Sequence, residues 1–146
     1  MKTLIFYFSS SHKNTEKLLQ DARKSVAFDL FNTEEGAVPD LSAYDAVGFA
    51  SGIYGGKAGK PLLSLLEKLD LSGKKCFAIT TSGFANAAHS HNLAEEIKSR
   101  GGEILGEFNC RGLITVAFFK LFGGIAKGRP NEADIANAAE FIRSLK

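Results

Sequence analysis

Cysteine is scarce, with only Cys76 and Cys110 in a chain of 146 residues. They stand too far apart for a C-x-x-C pair and have no clustered ligands to complete a metal set, so both read as buried thiols. No sign of charge dominates either. The 18 Lys and Arg against 16 Asp and Glu leave a formal net charge of +2, which argues for neither nucleic acid nor an anionic membrane as the main partner. Long apolar runs are missing as well. Leu4 to Phe8 is too short, and too promptly followed by Ser9-Ser10-Ser11, for a signal peptide or a membrane span, so a cytoplasmic location is expected. Nucleotide signatures are absent: there is no G-x-G-x-x-G, and Gly59-Lys60 is followed by Pro61 and preceded at the required spacing by Tyr54, so no G-x-x-x-x-G-K-[ST] exists.

What is present is an alternation of strands and helices within a length suited to a single domain, residues 1–146. The apolar run Leu4–Phe8 predicts a strand, and Leu18, Leu19 and Ala22 recur at helical spacing over 14–24. Residues 25–31 alternate loosely and suit an edge strand, while 32–43 read as a loop with at most one helical turn. A buried strand follows over Ala46–Ala50. Pro61, Leu62, Leu65, Leu66 and Leu69 then predict an amphipathic helix over 60–70. Strands over Cys76–Thr81 and Ile104–Cys110 flank a helix from Ser90 to Arg100 that Gly101-Gly102 stops. A last helix begins after Pro130, with Asn131 as its cap. Such alternation implies a parallel sheet covered on both faces, joined by right-handed crossovers.

Three of the strands run into small, polar turns: Ser9–Thr15, Ser51–Lys57 and Ser82–Asn86. In open α/β sheets ligands bind outside the carboxyl ends of the strands, where strand order reverses, so these turns are expected to meet there. The first joins hydroxyls and an amide to a helix N-terminus, an environment suited to phosphate. The second carries Ile53 and Tyr54, and the third Phe84, which suits a flat conjugated ring. A mononucleotide combines the two. The same residues also cap helices and fill turns, Tyr54 equally describes a surface tyrosine, and Phe84 describes a core residue more readily than a ring contact.

Taken together, these stretches resemble the flavodoxins and small flavodoxin-like proteins. The resemblance rests on Tyr7 to Thr15, Ser51 to Lys57, Thr81-Ser82-Gly83 and Gly128 to Asp134, and it covers nearly the whole chain. It implies an α/β three-layer α/β/α sandwich around a five-stranded parallel sheet of order 2-1-3-4-5, with flavin mononucleotide (FMN) bound non-covalently. By the same resemblance Ser9, Ser11, His12, Lys13, Asn14 and Thr15 would surround the phosphate. Ser51, Gly52, Ile53 and Tyr54 would border the isoalloxazine, the Gly55-Gly56 backbone would lie near its reactive ring nitrogen, and Ser82, Gly83 and Phe84 would border its pyrimidine side. No side chain is expected to act as acid, base or nucleophile, because the flavin supplies the chemistry.

The sequence departs from well-known flavodoxins in three respects. His12-Lys13 stands where electron-transfer members often carry Thr-Gly, no tryptophan is present to stack on a flavin, and the net charge is slightly positive where those carriers are acidic. The resemblance implies one- or two-electron transfer with a redox partner protein. A small FMN-dependent quinone or NAD(P)H-type reductase is an alternative, and an interaction module without tight flavin binding is another. A phospho-receiver domain shares the strand order but needs acids after the first and third strands, where this chain has Ser9-Ser10 and Ser51-Gly52. Leu113 to Phe122, which contains Lys120 and has Arg111, Lys127 and Arg129 around it, reads either as core or as a hydrophobic contact for a partner or quinone. His12, His89 and His91 form no metal-ligand spacing, and His89 and His91 are placed on different faces of their helix.

Overall fold

The computed structural model describes residues 2–9, 13–54, 56–82, 87–111 and 132–145. The element order is β1 (Thr3–Phe8), α1 (Asn14–Ala22), β2 (Asp29–Asn32), a 3-10 turn (Leu41–Ala43), β3 (Ala46–Tyr54), β4 (Lys57–Ala58), α2 (Lys60–Glu67), β5 (Lys75–Ser82), α3 (Ala87–Ser99), β6 (Glu103–Arg111) and α4 (Glu132–Ser144). The long strands form one parallel sheet of order β2-β1-β3-β5-β6, and the two-residue β4 pairs antiparallel with the end of β3. Leaving β4 aside, this is the expected 2-1-3-4-5 order.

Strand periodicity sorts the core into two layers, since alternate side chains leave a strand on opposite faces. Ile5 and Tyr7 of β1 join Phe77 and Ile79 of β5 in one cluster, under Leu18, Leu19 and Ala22 of α1 and Ala138, Ala139 and Ile142 of α4. Leu4 and Phe6 join Val47, Phe49 and Ala78 on the other face, under Leu62 and Leu66 of α2 and Leu93, Ala94 and Ile97 of α3. Helices therefore cover both faces, giving three layers. Cys76 and Cys110 are both buried free thiols.

Several boundaries differ from the expectation, each for a local reason. Helix α1 ends at Ala22, and the N–H groups of Ser25 and Val26 turn back onto the Ala22 carbonyl, so the strand expected over 25–31 forms only over Asp29–Asn32. Strand β3 continues through Ser51 to Tyr54, because Ser51 and Gly52 remain in register with Thr80 and Thr81 of β5. The second turn is therefore a hairpin rather than a loop that starts at Ser51. Among the described residues no helix is long and apolar enough to cross a membrane.

Candidate functional site at the carboxyl rim of the sheet

Two side-chain contacts gather the three turns. Thr15, at the start of α1, is buried, and its Oγ1 lies 2.8 Å from Oγ1 of Thr81 near the end of β5, which joins the first turn to the third. Phe8, at the end of β1, meets Tyr54 edge-on with ring centroids 5.7 Å apart, which joins the first turn to the second. Gly59, just beyond β4, lies so close to the Phe8 ring that an added Cβ would collide with it. The ends of β1, β3 and β5 thus share one rim of the sheet.

In the first turn, Lys13 precedes α1 in the left-handed region (φ 57°, ψ 33°) and supplies no side-chain cap. It is the only non-glycine residue with positive φ among those described. That conformation explains why a glycine suits this position in the resembling family. Ser9 Oγ accepts the N–H of Glu16 at 3.3 Å, so Ser9 serves the first helical turn from across the turn's mouth. Glu16 itself is engaged at its carboxylate by the Tyr7 hydroxyl at 3.1 Å. Burial foremost, followed by the adjacent Glu16 charge, pushes the Tyr7 hydroxyl above its ordinary pKa. Lys13 is exposed and Asn14 half-buried. The Thr15 hydroxyl, by contrast, is committed to Thr81, which leaves its contribution to a ligand to the backbone.

In the second turn, the hairpin pairs Ile53 with Ala58 and Tyr54 with Lys57. Gly56 takes φ 82°, a conformation that glycine supplies at least cost. Ser51 is fully buried: its Oγ accepts the Gly59 N–H at 2.7 Å and donates to the Gly52 carbonyl at 2.6 Å. Its hydroxyl therefore closes the hairpin rather than facing the rim. Gly52 makes room for the Tyr54 hydroxyl, which lies 2.7 Å from where a Cβ would stand. Tyr54 is nonetheless 40% exposed, whereas Ile53 is half-buried.

In the third turn, Ser82 is buried at the end of β5, with its Oγ 3.4 Å from Nδ1 of His89 in α3 and 3.5 Å from Nδ2 of Asn109 in β6. Asn109 also donates to Thr80 Oγ1 at 2.7 Å. Ser11, His12, Gly55, Gly83 and Phe84 lie outside the described residues, as do the 112–131 stretch with its apolar Leu113–Phe122 segment and the expected helix cap Asn131.

Sequence reasoning missed the hairpin, the Thr15–Thr81 tie and the Asn109–Ser82–His89 line. Gly55-Gly56 between Ile53-Tyr54 and Lys57-Ala58 was a signal for the hairpin. The other two join residues distant in sequence and left no local mark. Among the described residues no group of three His, Cys, Asp or Glu is placed to hold a metal ion. The donor chemistry of the rim does fit an anionic tail with a planar head: hydroxyls and a helix start whose Lys13 gives no side-chain cap stand on one side, and an exposed aromatic ring backed by glycine on the other.

No protein-family model matches the chain. "Uncharacterized protein MJ0298" of Methanocaldococcus jannaschii is 42% identical over 147 residues, covering 99% of this chain and 98% of that one. Among solved structures, a flavodoxin from the domain Archaea superposes with a TM-score of 0.69 at 14% identity, over 96% of this chain and 92% of its own. A flavoprotein in complex with FMN from Lactobacillus acidophilus NCFM gives a TM-score of 0.62 at 18% identity, over 74% of this chain and 92% of its own.

Proposed function

The chain belongs to one family with the Methanocaldococcus jannaschii protein and is built on the flavodoxin fold, and we propose that it binds flavin mononucleotide at the carboxyl rim and exchanges electrons with a partner protein there. The observation that carries this reading is the convergence of the three turns, held by the Thr15–Thr81 hydroxyl pair and the Phe8–Tyr54 ring contact. A nucleotide needs a phosphate cradle and a ring platform at fixed separation, and those two contacts set that separation.

In this reading the first turn holds the phosphate. The start of α1 offers backbone N–H groups and the positive end of its dipole, Ser9 and Asn14 offer polar side chains, and Lys13 adds a charge. Tyr54 and Ile53 border the ring, and the hairpin backbone at Gly56 lies beside it. Ser82 borders the pyrimidine side. When bound, the flavin accepts and releases electrons one or two at a time. The chain's task is to orient it, limit water at the ring and set its potential through stacking and hydrogen bonds.

Titrating the apoprotein with FMN and with riboflavin tests the reading. FMN should bind with quenched fluorescence and riboflavin about 10- to 100-fold more weakly, since it forgoes hydrogen bonds to a charged group. Asn14→Ala should weaken FMN more than riboflavin, and Tyr54→Ala should weaken both and shift the midpoint potential. Absence of flavin uptake overturns the function; uptake that neither substitution alters overturns the placement of the site.

A further inference from the structure

Every residue from Ser9 to Thr15 is polar and none is acidic; the first acid that follows, Glu16, stands three positions after Lys13 in the first turn of α1. A glutamate at that position tends to reach back to the N–H of the residue preceding the helix, and its charge is drawn to the positive end of the helix dipole. Lys13, left-handed at φ 57°, is followed by the right-handed residues of α1. That sequence of conformations aims successive N–H groups to one side and forms a concavity suited to any anion. The Glu16 carboxylate is therefore a competitor, built into the chain, for the place where the flavin reading puts a phosphate.

The structure holds that carboxylate elsewhere. Tyr7, only 5% exposed near the end of β1, donates its hydroxyl to Glu16 Oε1 at 3.1 Å, while Ser9 Oγ takes the Glu16 N–H at 3.3 Å. Backbone and side chain of Glu16 are thus both fixed from the β1 side. Asn32, at the end of β2, also hydrogen-bonds the Tyr7 hydroxyl, and its own Oδ1 accepts the Glu34 N–H at 2.9 Å. The Glu35 charge lies near enough to add, behind burial and Glu16, to the rise in the Tyr7 pKa. Two carboxylates therefore bear on one phenol. Without the hydroxyl, Glu16 loses the one side-chain hydrogen bond its carboxylate makes among the described residues. It is then repelled by Glu35 and attracted by the start of α1.

We propose that Tyr7 is a positioning residue for phosphate capture: its hydroxyl keeps the Glu16 carboxylate out of the N-terminal turn of α1 and so keeps that turn open to the anionic tail of the ligand. The inference rests on the flavin reading for the identity of the ligand, whereas the position of the Glu16 carboxylate is measured without one.

Two measurements on the full chain test it. In the apoprotein, the backbone amide signals of Lys13 and Asn14 are followed from about pH 3 to 6, where carboxyl groups ionise. They should move with that ionisation in Tyr7→Phe, and hold nearly still in the wild type and in Tyr7→Phe/Glu16→Ala. FMN and riboflavin are then titrated into the same proteins. Tyr7→Phe should weaken FMN about two- to fivefold, the effect of one carboxylate at a helix N-terminus, and leave riboflavin unchanged. Adding Glu16→Ala should restore FMN affinity, and Glu16→Ala alone should keep or raise it. Equal losses of FMN and riboflavin in Tyr7→Phe, a loss that persists with Glu16→Ala, or the same amide titration in wild type and Tyr7→Phe overturns the proposal. Amide movement confined to Tyr7→Phe without flavin uptake in any protein overturns the flavin reading alone. FMN uptake that Tyr7→Phe does not weaken overturns this inference alone.

Discussion

Thr15 and Thr81, 66 residues apart in the chain, place their hydroxyl oxygens 2.8 Å apart inside the protein. One hydroxyl donates and the other accepts, and both residues are almost fully buried. The pair fixes the start of α1 against the end of β5, so it sets the distance between the first and third turns.

Replacing one partner should therefore be costly. Thr15→Val keeps the shape but leaves the Thr81 hydroxyl buried without that partner, a loss of about 1–3 kcal/mol. At about 2–4 °C per kcal/mol for a chain of this size, the thermal midpoint should fall by several degrees. Thr15→Val/Thr81→Val should cost less than the sum of the single changes, and a double-mutant cycle in urea measures that coupling. Strict additivity would mean that the two hydroxyls do not interact.

The glycines of the second turn separate into two kinds. A Cβ at Gly59 meets the ring of Phe8, which β1 holds in place, whereas a Cβ at Gly52 meets the hydroxyl end of Tyr54, which has solvent to swing into. Gly59→Ala should lower stability by about 1–3 kcal/mol through overpacking. Gly52→Ala should change the urea midpoint little and alter the affinity for flavin by moving Tyr54. Similar urea midpoints for the two variants would contradict this division.

Much of this architecture was legible in the sequence because it rests on periodicity. Leu62 and Leu66 are buried as the leucine spacing of α2 requires, and Leu65 and Leu69 flank them half-buried. The parallel sheet covered on both faces followed from alternation and crossover handedness, and the order of its strands from the family resemblance. The extension of β3 through Ser51–Tyr54 did not, because small polar residues and glycine signal a turn locally while register with β5 keeps them extended. Ser51 was read as a rim residue for the same reason; only the approach of Gly59 shows that its hydroxyl is used inside. His89 drew notice only as a metal candidate, since its place depends on how α3 meets β4 and β5.

Lys13 holds a left-handed conformation that costs a non-glycine residue about 1 kcal/mol. Lys13→Gly should relieve that cost and raise or preserve the urea midpoint while weakening phosphate capture by removal of a charge. If the lysine serves only the backbone, FMN and riboflavin affinities will keep their wild-type ratio.

Tyr7 links stability to alkaline pH. Burial, and after it the neighbouring Glu16, raises its pKa in the folded state, so between the unfolded value near 10 and the folded value the unfolded chain binds fewer protons. Its contribution is complete below pH 10 and is lost as pH rises above it. Tyr7→Phe should remove part of the decline in urea midpoint as pH rises above 10. The part that persists belongs in some measure to Tyr44, whose hydroxyl is raised by donating to Asp29.

Cys76 offers a last check on the layer beneath α2 and α3. Its side chain is fully buried in that cluster, and burial pushes the thiol up to about 12. The thiolate is the reactive form, so at pH 8.5, where an ordinary cysteine is about half ionised, Cys76 should be almost wholly protonated and shielded as well. In a Cys110→Ala variant, disulfide reagents at that pH should label Cys76 only as fast as the protein opens. Labelling should therefore accelerate with urea in proportion to the opened fraction. Rapid labelling in the absence of urea would place the thiol at the surface and contradict the packing of β5 against α2 and α3.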